Sequence, residues 1–202
     1  MKKNIFAVVA LVCVVALISG CGTKVKRTAV DQTIDLSGRW NDSDSRFVSE
    51  EMIRDCLDRP WLNKFDEKNK RNPTVIVGTI VNRSSEHINS QLFTKDLEKA
   101  FINSAMVNVV ASDQQRQEIR DERKDQQQSG MTNEQTIKPN KEETGADLIL
   151  QGTINSVKDE IKGQYVILYQ VNLELIDITT NQKVWIGEKE IKKQVKKSKF
   201  SL

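Results

Sequence analysis

A single histidine, His87, is all the imidazole in this 202-residue chain, and cysteine and proline occur only three times each. A serine or cysteine nucleophile needs a general base within reach. His87, beside Glu86 in a polar stretch with no partner pattern, does not mark one. One histidine and scattered cysteines give no zinc spacing, and no glycine-rich phosphate loop or paired-carboxylate motif occurs. Asp42-x-Asp44 opens like a calcium loop, but Arg46 stands where a third oxygen ligand belongs and no glycine follows. The inventory argues against an enzyme and implies no cofactor or metal, which leaves binding. A large excess of one charge is missing too: the formal net charge is +3, far from the strongly basic domain expected of a nucleic-acid binder.

Long apolar runs are absent except at the start. Lys2 and Lys3 precede an uncharged apolar stretch, Ile5 to Ile18, and then the small pair Ser19-Gly20 and Cys21. A membrane span needs about twenty apolar residues and a basic flank, so this run is better read as an export signal over residues 1–20. Ile18-Ser19-Gly20-Cys21 resembles the lipobox, in which the cysteine thiol takes a diacylglycerol before cleavage and the freed amine is then acylated. The competing reading is an ordinary secretory signal or a single span. Cleavage removes Cys13 and both lysines, which lowers the net charge to +1 and leaves Cys56 unpaired. Residues 21–34 are then the lipidated N-terminus and a short tether, at most about 45 Å fully extended and about 20 Å on average as a coil. Residues 35–202 suit one domain.

Along that domain, Asp44 is the expected cap of a helix from Ser45 to Leu57. Its apolar stripe comprises Phe47, Val48, Met52, Ile53, Cys56 and Leu57, which makes Cys56 a buried small hydrophobe. Pro60 breaks the helix, and Trp61, Leu62 and Phe65 suggest a second short one. Thr74 to Val81 is apolar on both faces and predicts a central strand covered on both sides. After the polar loop 82–89, the spacing of Leu92, Phe93, Leu97, Ala100 and Phe101 predicts a helix from Ser90 to Ser104. A strand over Val107 to Val110 completes a crossover unit. Ser112 to Gln128 reads as a solvated helix with Ile119 as its one anchor and Arg116, Arg120 and Lys124 along one side. A loop over 129–140 and a helical turn up to Thr144 follow. Ala146 to Lys158, Gln164 to Asp177 and Lys183 to Val195 alternate as three antiparallel strands, with Tyr165, Ile167, Tyr169, Val171, Leu173 and Leu175 on one face. The fold class is therefore an α/β (α+β) sandwich: a mixed sheet with helices packed on it, ending in an antiparallel meander. Lys189, Lys192, Lys193, Lys196, Lys197 and Lys199 form a basic run that either protects an edge strand or meets anionic lipid or a cell-wall polymer.

Three stretches together resemble the LpoB family of penicillin-binding protein activators, alongside the Cys21 lipobox. They are Asp35-Leu36-Ser37-Gly38-Arg39-Trp40-Asn41-Asp42-Ser43-Asp44, Val77-Gly78-Thr79-Ile80-Val81-Asn82-Arg83-Ser84-Ser85-Glu86-His87-Ile88, and Thr144-Gly145-Ala146-Asp147 leading into Leu150-Gln151-Gly152-Thr153-Ile154. The resemblance implies a fold similar to the N-terminal domain of TolB and an outer-membrane lipoprotein facing the periplasm. Its implied partner is the accessory domain of a class A penicillin-binding protein, with regulation of peptidoglycan synthesis as the outcome. The best-understood members cross the periplasm on a long disordered linker, whereas this tether is short. Gly22 after the cysteine, rather than aspartate, fits outer-membrane sorting. The chain is expected to be a monomer. The alternative is a structural or secretion-associated lipoprotein resembling the CsgG periplasmic domain, which would form a ring. Within the loop, Asn82, Arg83, Ser85, Glu86 and His87 are the expected partner-binding residues, presented from a rigid strand end. The competing role for Asn82, Ser84 and Glu86 is to close the turn and steady the next helix.

Overall fold

Runs that alternate apolar and polar residues bury one face of a strand. Here they build a single sheet from β1 (Thr74–Asn82), the two-residue β2 (Asn108–Val109), β3 (Leu148–Ile161), β4 (Gln164–Asp177) and β5 (Lys183–Lys196). The computed structural model describes residues 25–29, 31–161 and 163–196. Residues 1–20, Cys21, Lys197 and Lys199 lie outside them. The strand order is β2-β1-β3-β4-β5, with β1 parallel to β2 and β3, and β3, β4 and β5 antiparallel in turn. The mixed α+β sheet ending in a meander is thus the fold that the alternation implied.

Two helices, α1 (Asp42–Leu57) and α3 (Ser90–Ser104), pack on each other and on one face of this sheet, and the shorter α2 (Pro60–Asn69) lies between them in sequence. Their apolar stripes meet the buried face: Val48, Met52, Ile53 and Cys56 from α1 and Phe93, Leu97 and Phe101 from α3. Opposite them stand Val75, Val77, Leu148, Leu150, Ile154 and alternate β4 residues from Ile167 to Leu175. At about 1.5–3 kcal/mol for each large side chain fully buried, this cluster is the main source of stability. Every buried core residue falls between Val48 and Trp185, inside the compact unit Ile34–Leu202. Cys56 is buried as its stripe implied, and burial pushes its thiol pKa far above the ordinary range. No described helix is long and apolar enough to cross a membrane.

Several local expectations are corrected. Helix α1 starts three residues early because Asn41, not Asp44, is its cap. Asn41 Oδ1 accepts the Asp44 amide at 3.1 Å and Asp44 Oδ2 accepts the Asn41 amide at 2.9 Å, a reciprocal capping box. Phe47 leaves the stripe: it is 53% exposed, with Lys189 Nζ over its ring. Leu92 is likewise exposed. β1 is covered on both faces only over its first half, and Val81 is 41% exposed. Residues 141–144 form no helical turn; the turn falls earlier, where the Thr136 amide bonds Asn133 O at 2.9 Å. Helix α4 (Asp113–Gln128) buries no residue, as expected of a solvated helix. Arg116 pairs with Asp113 at 3.6 Å within the helix, and Arg120 and Arg123 hold Glu143 and draw its pKa down to about 2.

Candidate partner-binding site

The loop after β1 is fixed from within by its own short polar side chains. Asn82 Nδ2 donates to Glu86 O at 2.8 Å, and Asn82 Oδ1 accepts both the amide and the hydroxyl of Ser84 at 2.9 and 2.7 Å. Ser84 Oγ reaches Glu86 O at 3.1 Å and also accepts the Glu86 amide. These are the side-chain turns that asparagine and serine favour. The Arg83 amide bonds Ile154 O at 2.8 Å and the Ser85 amide bonds Ser156 Oγ at 3.1 Å, so β3 holds the loop from the side.

Glu86 turns inward. Its Oε2 accepts the Tyr169 hydroxyl at 2.8 Å and the Trp40 amide at 3.3 Å, and the Trp40 amide also donates to Tyr169 Oη at 3.0 Å. The Trp40 ring stands edge-on to both Phe93 and Tyr169, and its Nε1 donates to Ser45 Oγ at 2.7 Å. Aromatic pairs in this arrangement add to area burial. Burial first, then the Glu86 carboxylate, pushes the Tyr169 pKa well above its ordinary value, so the phenol stays protonated and remains a donor.

The segment before α1 forms a strap over the same end of the sheet. Lys193 Nζ joins Asp35 Oδ2 at 2.8 Å, Asp44 Oδ2 at 2.6 Å and Arg39 O at 2.9 Å, while Tyr165 Oη donates to Ser37 O at 2.8 Å. Burial opposes the charge on Lys193, but the two carboxylates outweigh it and raise its pKa. Gly38 takes φ +68°, and a Cβ there would lie 2.0 Å from Val195 Cγ2. At the opposite end, Arg71 clasps Asp147 through two bonds of 2.7 Å, and the Thr74 amide donates to the same carboxylate at 2.8 Å.

Of the five loop residues singled out from the sequence, Arg83, Ser85 and His87 are exposed side by side in sequence alternation, whereas Asn82 and Glu86 are half-buried and occupied. The arrangement presents a rigid polar ridge with no nucleophile and base in hydrogen-bond contact. Sequence reading missed Trp40, Tyr169 and Lys193 as the residues that fix this ridge. The signal for Tyr169 was a phenol on an otherwise aliphatic face, which needs a polar partner. A second concave feature, about 430 Å³ between α1 and α3, mixes Arg46, Glu50, Asp96 and Lys99 over Ile53 and Met106. Asp96 is raised there chiefly by burial.

The sequence profile of the family described as peptidoglycan-synthase activator LpoB matches residues 44–191. The chain belongs to the LpoB family. All three stretches of the resemblance fall wholly or partly within the matched region. Solved structures, those of LpoB among them, are similar to it at low identity. The C-terminal domain of Escherichia coli LpoB is 15% identical, with 74% of this chain and 98% of that one covered and a TM-score of 0.37. The NMR structure of E. coli LpoB is 13% identical, covering 88% and 84%, with a TM-score of 0.41. Lipoprotein GNA1162 from Neisseria meningitidis is 18% identical, covering 62% and 86%, with a TM-score of 0.40. Comparison with curated protein sequences gave no match.

Proposed function

We propose that this LpoB-family chain is a lipoprotein held at the outer membrane through Cys21, facing the periplasm as a monomer. There it binds the accessory domain of a class A penicillin-binding protein and activates it in peptidoglycan synthesis. The observation that carries this reading is the family match across residues 44–191. The contact surface includes the ridge of Arg83, Ser85 and His87, with Asn82 and Glu86 holding it in place. A rigid ridge lowers the ordering cost of association.

The test is a purified synthase assay. Adding the protein to its cognate class A synthase is expected to speed glycan polymerisation or crosslinking, and the protein alone is expected to be inert. An unchanged synthase rate, or turnover by the isolated protein, sinks the reading. The oligomeric state in detergent adds a second check, since a ring favours assembly over activation.

A further inference from the structure

We propose that the strap from Asp35 to Trp40 is a release device: a pull on the chain before it unfastens the strap from β4 and β5, draws Trp40 away from Glu86 and loosens the loop that carries the Arg83, Ser85 and His87 ridge. This deepens the reading of that loop as the synthase contact, and it rests on that reading and on a lipidated Cys21. In sequence the strap is the first part of the domain after the tether, so tension between the acylated end and a bound partner falls on it before it reaches any core element. Residues 22–34 reach at most about 45 Å, and a partner bound farther out than tether and domain together span draws them taut.

The contacts run in a line from the tether to the loop. Asp35 Oδ2 meets Lys193 Nζ at 2.8 Å, Ser37 O accepts the Tyr165 hydroxyl at 2.8 Å, and Arg39 O accepts from Lys193 at 2.9 Å. Next comes the Trp40 amide, which donates to Tyr169 Oη at 3.0 Å and to Glu86 Oε2 at 3.3 Å. Glu86 is in turn the inner knot of the loop: its carbonyl accepts from Asn82 Nδ2 and Ser84 Oγ, and its amide donates to Ser84 Oγ. Peeling that starts at Asp35 therefore reaches the loop last, and through one residue, Trp40.

Two features make the strap open before the domain does. It buries little of itself: Asp35, Leu36, Ser37 and Arg39 are exposed, and only Gly38 and Trp40 are half-buried. A segment held by exposed polar contacts, with few apolar ones, lies at the low-stability end of a domain. Its opening also strands no charge. The Lys193 side chain is 11% exposed while the strap covers it, and loss of the strap returns the ammonium to water with Asp44 Oδ2, from α1, still 2.6 Å away. An ion pair opened to water costs little, whereas a buried charge left without its partner costs much. The fully buried core, from Val48 onward, loses none of its members.

The experiment is hydrogen exchange read by mass spectrometry on the mature protein in detergent, with no synthase present. Lys193→Met keeps the stem and removes the fastening of the strap, and it should speed exchange over residues 82–88 about tenfold, as loss of a hydrogen bond to a charged group does. Exchange over residues 148–150 and 173–175 should stay unchanged. If Lys193→Met does not fold, Asp35→Asn takes its place, with about threefold expected from one weakened ion pair. For the pull itself, residues 22–202, which hold the whole core, carry handles at the N-terminus and at Asn103→Cys, because position 103 is exposed and Cys56 is buried. An optical trap should show a first step of at most about 25 Å, at a force below that which unfolds the domain. Three outcomes overturn the proposal: unchanged exchange in the loop, exchange that rises equally in loop and core, or a single unfolding step with none before it. Failure of the loop as the synthase contact would show instead in the binding of Arg83→Ala with His87→Ala, and failure of Cys21 anchoring in the partitioning of the intact lipoprotein.

Discussion

Tyr169 Oη donates to Glu86 Oε2 at 2.8 Å and accepts the Trp40 amide at 3.0 Å, so one phenol on β4 ties the strap before α1 to the loop after β1. Tyr169 has no exposed surface. Tyr169→Phe keeps the ring packing but leaves Glu86 Oε2 with the longer 3.3 Å bond from Trp40 alone. The expected cost is about 1–3 kcal/mol, since a half-buried carboxylate loses its better donor. Urea unfolding checks this, and an unchanged midpoint would mean that the three-way junction does not bear on stability.

Asp147 is held below the ordinary carboxylate range, first by its Arg71 hydrogen bonds, against burial, and then by the Thr74 amide. A depressed folded-state pKa means that the folded protein binds this proton more weakly than the unfolded chain does. The stabilisation is therefore present above the unfolded value, about 3.9, and is lost as pH falls through the lower folded value. Asp147→Asn should cost about 1–2 kcal/mol near pH 7. The gap to the parent protein should close as pH falls below about 4, and denaturation midpoints at the two pH values measure it. A gap independent of pH would assign the effect to packing instead.

Two glycines seven residues apart in sequence should respond differently to alanine. A Cβ on Gly152 would sit 2.1 Å from Asn172 O, a backbone atom held in the β3–β4 ladder, whereas one on Gly145 meets nothing within 4 Å. Gly152→Ala is expected to destabilise by about 1–3 kcal/mol, as overpacking does. Gly145→Ala should fall within about 0.5 kcal/mol of the parent. Thermal melts of the two variants side by side decide it.

Much of the fold was legible because its signals are local. The strict alternation from Tyr165 to Leu175 gave both strand and buried face, and the spacing of Phe93, Leu97 and Phe101 gave the helix and its core side. What was not legible depends on partners distant in sequence. Asp44 looked like a cap because aspartate before an apolar stripe usually is one. Instead Asn41 caps, and Asp44 both closes the box and meets Lys193 from the last strand. Phe47 sits at stripe spacing, yet the helix rotates it outward to lie under Lys189. At the candidate site, Asn82 and Ser84 carried a readable turn signature. The inward course of Glu86 could not be read, since its partners Trp40 and Tyr169 lie 46 and 83 residues away. The residues that resemble the family are thus largely the braces of the fold: Gly38, Trp40, Asp44, Glu86, Asp147 and Gly152.

Anchoring can be tested apart from everything else. Cys21→Ala removes the thiol that acylation requires. The variant is expected to leave the detergent phase into which the parent partitions, because two or more acyl chains are what make such anchoring stable. A variant that still partitions as the parent does would overturn the lipobox reading and leave the family assignment standing.

The loop separates binding from folding within a few residues. Arg83 and His87 are exposed, and their side chains take part in none of the hydrogen bonds that fix the turn, while Glu86 anchors Trp40 and Tyr169. Arg83→Ala with His87→Ala should therefore leave the melting temperature unchanged and weaken synthase binding by about 1 kcal/mol or more, roughly fivefold in Kd. Glu86→Ala should do the reverse in its primary effect. It leaves the Tyr169 hydroxyl without its acceptor and should lower stability by about 1–3 kcal/mol, with any loss of binding rescued in part by Glu86→Gln, which keeps an acceptor oxygen. Surface plasmon resonance against the synthase and melting curves on the same preparations give both readouts. If Arg83 and His87 can be removed with binding intact, the ridge is scaffold only and the contact surface lies elsewhere on the domain. If their removal lowers the melting temperature, the exposed side chains support the turn in a way that its hydrogen bonds do not account for.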